Sequence, residues 1–179
     1  AVWSQNFFTI TYHKNDGGST TATQSLANGN TSALTYSSGW SRAGYTFLGW
    51  STLANATTPA SSFTVNSSAR LYAVWQLNNY VLTYDENQGS TKTKTYAYGS
   101  SDALRFVSGW TKYGYRFLGW SLDSNATAAD TAFTVTDSAT LYAVWQLAPA
   151  ATFGAFPNRT KSITLGHYTL VAPTTNSGG

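Results

Sequence analysis

Apolar and polar positions alternate along two matching stretches, with Phe8, Ile10 and Tyr12 set among Phe7, Thr9 and Thr11, and Tyr80, Leu82 and Tyr84 set around Val81 and Thr83. Period-two alternation of β-branched and aromatic residues predicts strands with one buried face. Each stretch runs into a hairpin turn, Asn15-Asp16-Gly17-Gly18 or Asn87-Gln88-Gly89, where glycine takes positive φ without steric penalty. The strand that follows, residues 20–26 or 91–98, is polar and belongs at a sheet edge. Beyond Tyr98-Gly99, the run Ser100-Ser101-Asp102-Ala103-Leu104-Arg105-Phe106-Val107-Ser108-Gly109 predicts a short helix or helical turn. Ser100 or Ser101 would cap it, Leu104 and Val107 would share a face, and Gly109 would end it. The matching residues 31–39 are a poorer helix sequence.

Residues 44–50 and 114–120 predict further strands, with Tyr45, Phe47 and Gly49 on one face and Thr46, Leu48 and Trp50 on the other. Large apolar groups on both faces imply that this strand is covered on both sides. Loops at residues 55–60 and 125–130 follow. Phe63-Thr64-Val65 and Phe133-Thr134-Val135 then lead into a last strand, in which Leu71, Ala73 and Trp75 share a face.

The pattern is duplicated. Gly39-Trp40-Ser41-Arg42-Ala43-Gly44-Tyr45-Thr46-Phe47-Leu48-Gly49-Trp50 returns seventy residues later as Gly109-Trp110-Thr111-Lys112-Tyr113-Gly114-Tyr115-Arg116-Phe117-Leu118-Gly119-Trp120. Leu71-Tyr72-Ala73-Val74-Trp75 returns at the same interval as Leu141-Tyr142-Ala143-Val144-Trp145. Upstream the interval is 72, as between Tyr12 and Tyr84, which places a two-residue slip in the hairpin, where insertions disturb least. A period this long reads as an array of small domains rather than a short-period solenoid. The signature Tyr45, Phe47, Trp50 and Trp75, matched by Tyr115, Phe117, Trp120 and Trp145, is the core each unit would be built on.

Composition sharpens this picture. Units of about 70 residues lie near the lower limit for an independent core, and with no Cys in the chain disulfides cannot help them. Aromatic residues, 16% of the chain, supply the buried area instead. Only 9% of residues are charged, against about 25% in an ordinary soluble domain. The polar surface therefore falls to Ser, Thr, Asn and Gly, which suits a β-rich secreted or surface-displayed bacterial protein. The formal charge of +3 is scattered rather than gathered into a stripe, which argues against nucleic acid as a partner. No apolar run approaches the roughly 20 residues of a membrane span.

An aromatic strand ending in Asn-x-Gly, then Gly-Tyr-x-Phe-x-Gly-Trp, then Leu-Tyr-Ala-x-Trp, resembles the Listeria–Bacteroides repeat, the type found as the B repeat of internalin-like surface proteins. The resemblance covers residues 7–77 and 80–147. It implies a mainly β (α+β) chain of two tandem, small β-grasp, ubiquitin-like units, used as stalk, spacer or adhesion module on a bacterial cell surface and not for catalysis. Two departures stand out. Ser38 and Ser108 fall where many members carry Pro, and Val74 and Val144 replace a commonly polar residue, suggesting an apolar contact between repeats.

Catalytic chemistry finds little support. A Ser or Thr nucleophile needs a base, and only His13 and His167 are available. His13 is matched by Asp85, so it reads as a strand-end residue rather than part of a repeated constellation. The first unit has one acid, Asp16, which excludes paired-carboxylate chemistry within it. Metal-ligand spacings and phosphate-binding glycine loops are absent, and no cofactor is implied. A Lys–Asn isopeptide staple is conceivable at Lys14 or Lys92, but it normally needs a buried carboxylate. Binding is the live alternative: exposed members of Trp40, Tyr72, Trp110 and Tyr142 are the candidate ligand-binding residues, for a host or cell-surface protein or glycan. The competing reading makes them core or inter-repeat packing, because units this small need nearly all their aromatics inside.

The expected layout has residues 1–6 as the end of a preceding repeat or linker, since Ala1-Val2-Trp3 matches Ala73-Val74-Trp75, then repeats at 7–77 and 78–147. Residues 148–179 do not match the repeat. Pro149 and Pro157 suggest a linker, and residues 162–171 predict one or two strands. This C-terminal extended segment weakly resembles the opening of an immunoglobulin-like module. It is expected to be disordered or to add a strand to a sheet edge.

Overall fold

The alternating stretch becomes β1 (Phe7–His13), paired antiparallel with β2 (Thr21–Ala27). The chain then crosses to β3 (Tyr45–Ser51) and returns along β4 (Ala69–Leu77). β4 lies parallel to β1 and antiparallel to β3, so the sheet order is β2-β1-β4-β3. The second repeat copies this with β5 (Asn79–Asp85), β6 (Thr91–Ala97), β7 (Tyr115–Ser121) and β8 (Ala139–Leu147) in the order β6-β5-β8-β7. A central parallel pair flanked by antiparallel partners is the β-grasp arrangement that the resemblance implies. The computed structural model describes residues 2–149 and the backbone of β9 (Ser162–Leu165) and β10 (Tyr168–Val171), which pair with each other. The chain divides into compact units at Ala1–Gln146 and Leu147–Gly179, so both repeats share one unit.

Each sheet packs its main core cluster against one face. In the first repeat Ile10, Tyr12, Leu26, Trp50, Leu71 and Ala73 meet Ala33 and Val65 from the connections. The second repeat answers with Leu82, Tyr84, Tyr96, Trp120, Leu141 and Ala143 against Ala103 and Val135. Val65 closes the first core from a loop, its backbone bonded to Gly29 N and Asn30 O at 2.7 and 2.9 Å.

Several sequence expectations need correction. The proposed helix contracts to a 3-10 turn, Ser32–Thr35 in one repeat and Ala103–Arg105 in the other, without a side-chain cap. The strand at residues 44–50 is not covered on both sides: β3 is a sheet edge, and Phe47 and Leu48 are each 39% exposed. Its residues also do not alternate strictly. Phe47 opposes Trp75, whereas Gly49 opposes Val74, so Leu48 is an inserted bulge residue. The bulge turns both Phe47 and Trp50 toward the core side, with ring centroids 5.2 Å apart. Val74 and Val144 are 1% and 2% exposed. Both are buried to the same degree in the two repeats. Residues 2–6, read from sequence as the end of a preceding repeat or linker, lie outside the strands, with Val2 and Trp3 exposed.

Gly49 is required by this bulge for two reasons. Its φ of +144° is one that side-chain-bearing residues rarely adopt, and a Cβ there would lie 2.8 Å from Pro59 Cβ. Gly119 repeats both conditions, with φ +144° and Ala129 Cβ at 2.7 Å. Gly49→Ala and Gly119→Ala are each expected to destabilise their own repeat by about 1–3 kcal/mol. Urea unfolding followed by tryptophan fluorescence checks this, and unchanged midpoints would show that the bulge tolerates a side chain.

Candidate functional site

Tyr12, Tyr36, Trp40 and Trp50, and in the second repeat Tyr84, Phe106, Trp110 and Trp120, meet along the segment that joins the second and third strands of each repeat. A crossover without a helix leaves backbone carbonyls to be satisfied by other donors. The sheet supplies them. The Trp50 indole N–H donates to Tyr36 O at 2.9 Å, and the Tyr12 hydroxyl donates to Ala33 O at 2.9 Å. In the second repeat Trp120 donates to Phe106 O at 2.9 Å and Tyr84 to Ala103 O at 2.8 Å. Tyr36 then stacks on Tyr12 with centroids 4.0 Å apart, as Phe106 does on Tyr84 at 3.9 Å. The other signature indoles tie down the hairpins: Trp75 donates to Lys14 O at 2.7 Å and Trp145 to Glu86 O at 3.0 Å. These residues are spent on folding, apolar body in the core and polar tip on a backbone acceptor.

The candidate ligand-binding residues do not converge. Trp40 is half-buried and packs edge-on against Trp50 at 5.9 Å, and Trp110 does the same on Trp120 at 6.0 Å. The Lys92 ammonium lies 5.4 Å from the centroid of the Trp110 ring and also meets Ser108 O. Ser38 and Ser108, the departures from Pro, each accept the backbone N–H of the following Trp40 or Trp110 at 3.2 Å, so a hydroxyl shapes that turn. Tyr72 and Tyr142 are half-buried and alternate with buried neighbours, which puts them on the sheet face opposite the tryptophans. Tyr72 sits beside His13, with centroids 5.6 Å apart, and Tyr142 is in register with Asp85.

His13 and Asp85 perform one task. His13 Nδ1 accepts the Asn15 N–H at 3.0 Å, and Asp85 Oδ1 accepts the Asn87 N–H at 2.7 Å. Asn15 and Asn87 take positive φ, 59° and 62°. Asn15 Nδ2 reaches across to Ala54 O and Ala73 O at 2.9 and 3.0 Å, and Asn87 Nδ2 to Ser124 O at 2.7 Å. Sequence reasoning assigned these turns to glycine and missed the asparagines, although their recurrence at the same strand end was the available signal. Lys14 pairs with Asp16 at 2.9 Å, and this contact holds the Asp16 carboxyl below its ordinary range. Lys14 is instead paired with Asp16, and Lys92 meets Ser108 O.

The second repeat also carries a hollow of about 350 Å³ lined by Ser101, Leu104, Arg105, Asp130 and Phe133 among others. Its charges are engaged within the protein, Arg105 with Asp102 at 3.4 Å and Asp130 with Ser121 Oγ and Leu122 N. The first repeat has Thr35 and Ala60 in their places. Among the described residues no three His, Asp or Glu side chains gather as a metal site, and no helix is long and apolar enough to cross a membrane. His167 lies outside the described residues.

Comparison with known proteins agrees with the repeat. The family model of the Listeria-Bacteroides repeat domain matches residues 8–74 and again 80–144. An Evansella cellulosilytica protein named "Putative membrane protein" is 31% identical over 152 residues, 82% of this chain and 22% of its own length. A second from the same organism, "Putative Gly-rich membrane protein", is 27% identical over 161 residues, 79% of this chain and 19% of its own length. The chain thus spans about a fifth of each of these relatives.

The buried phenols have a measurable consequence. Burial, with Tyr36 alongside, pushes the Tyr12 hydroxyl up from 10.0 to about 12, and burial with the Tyr96 hydroxyl pushes Tyr84 up as well. An unfolded phenol ionises near pH 10 while the folded one stays neutral, so the stabilisation is intact below about pH 10 and is lost as pH rises towards about 12. Urea unfolding across that window should show stability falling by an amount on the order of 2 kcal/mol for the first repeat. Tyr12→Phe should cost about 1–2 kcal/mol at neutral pH and flatten the alkaline fall, whereas an unchanged slope would separate the fall from this phenol.

Proposed function

We propose that this chain, which belongs to the Listeria–Bacteroides repeat domain family, serves as a pair of non-catalytic extracellular modules of a bacterial cell-surface or filamentous protein, acting as stalk or spacer and contributing to adhesion. One observation carries this reading. The recurring Tyr12 and Tyr84, Trp50 and Trp120, and Trp75 and Trp145 have their polar tips on backbone carbonyls and their rings in or against two matching cores, so what the duplication preserves is a folding unit. Trp40 and Trp110 pack edge-on against Trp50 and Trp120. The names of the Evansella relatives, both described as membrane proteins, support a place at the cell envelope.

In this reading the neighbouring repeat is the principal partner of each unit, and a host or cell-surface glycan or protein is engaged by other parts of the full-length protein. Display on the cell surface predicts that antibodies to this chain label intact cells and that external protease removes the label. Glycan arrays and host-cell surfaces probed with the chain should show no saturable binding. Saturable binding that is lost in Trp40→Ala or Trp110→Ala would instead establish a direct adhesin.

A further inference from the structure

One residue separates the two sheets, since β4 ends at Leu77 and β5 begins at Asn79. That residue, Asn78, is bonded on both sides. Its N–H donates to Gly44 O at 2.8 Å, and its Oδ1 accepts the Thr46 hydroxyl at 2.7 Å, both in the first repeat. Its own carbonyl accepts the Tyr98 N–H of the second repeat at 2.9 Å. Tyr98 follows β6, and its half-buried side chain lies across the bare backbone of Gly44: a Cβ on Gly44 would overlap Cδ1, Cγ and Cε1 of the ring.

Two internal comparisons show that this contact belongs to the joint and not to the repeat. Asn28 makes the matching backbone bond to Asn6 O at 2.8 Å, but it is an exposed asparagine where Tyr98 is aromatic. Gly114 occupies the matching turn with nearly the same φ, +75° against +74° for Gly44, and among the described residues no atom lies within 4 Å of its Cβ position. The turn alone therefore accounts for a glycine at either position, while the ring covers only Gly44.

We propose that the Gly44 turn is an interaction surface for an aromatic ring carried by the adjoining repeat, and that Tyr98 seated on it locks the two repeats at one fixed angle. Domains joined by a small polar interface ordinarily move relative to one another. Here the single linking residue is bonded to both sheets, and the ring removes the remaining freedom of rotation about it. The inference rests on the joint geometry alone and stands or falls independently of the spacer reading, because a fixed angle suits a stalk and a binding module equally.

The absence of native cysteine makes the test direct. Thr23→Cys and Thr93→Cys, exposed on β2 and β6, carry one spin label in each repeat of the full chain, and pulsed electron paramagnetic resonance reads the distance between them. A single narrow distribution is expected, kept by Tyr98→Phe and by Gly114→Ala, and broadened to at least about twice its width by Tyr98→Asn and Gly44→Ala. Circular dichroism confirms that both sheets remain folded in Tyr98→Asn, which alters a half-buried residue outside the two cores. A distribution already broad in the parent chain, or one that Tyr98→Asn leaves narrow, overturns the proposal.

Discussion

The structure depends on satisfying a crossover that has no helix of its own. Two parallel central strands require the chain to pass over the sheet, and a helix usually performs that passage because it bonds its own backbone internally. Each repeat instead uses a single 3-10 turn and extended chain. The carbonyls left over at Ala33 and Tyr36, and at Ala103 and Phe106, become the acceptors for buried Tyr and Trp donors rising from the sheet. Hydrophobic burial and hydrogen-bond satisfaction are thus carried out by the same side chains, and neither can be altered without disturbing the other.

The two copies show how firmly this requirement is held where the sequence varies. In the first repeat the Tyr12 hydroxyl also meets Gln24 Oε1 at 2.9 Å. In the second, Lys94 stands in place of that glutamine and Tyr96 in place of Leu26, and the Tyr96 hydroxyl contacts Tyr84 at 2.7 Å. Because Tyr84 gives its proton to Ala103 O, Tyr96 must be the donor in that pair. The polar contact is preserved while its chemistry and its source on the strand both change. His13 and Asp85 are interchangeable on the same terms, each presenting an acceptor to the N–H two residues on.

Much of this was legible from the residues. Alternation located the hairpins and the polar edge strands β2 and β6, and duplication identified the aromatic signature. What escaped was every feature that breaks a period. Strict alternation separates Phe47 from Trp50, and only the glycine inside the strand hinted at the bulge that reunites them. The segment at residues 100–109 has the caps and spacing of a helix, yet its carbonyls go to aromatic donors from the sheet, a competition no local pattern records. The candidate residues Trp40, Tyr72, Trp110 and Tyr142 were recognisable as conspicuous aromatics, but strand pairing placed Tyr72 and Tyr142, and packing on Trp50 and Trp120 placed Trp40 and Trp110. Tyr98 was invisible to the comparison of copies because the first repeat carries Asn28 there.

The parallel pairing of β1 with β4 has a mechanical meaning. The chain enters each repeat at the start of the first strand and leaves it at the end of the last, and these two strands are central neighbours running the same way. Tension applied through the flanking chain therefore pulls the pair lengthwise past each other. Their hydrogen bonds are loaded in shear and must fail together, whereas a hairpin pulled from its open end unzips one bond at a time.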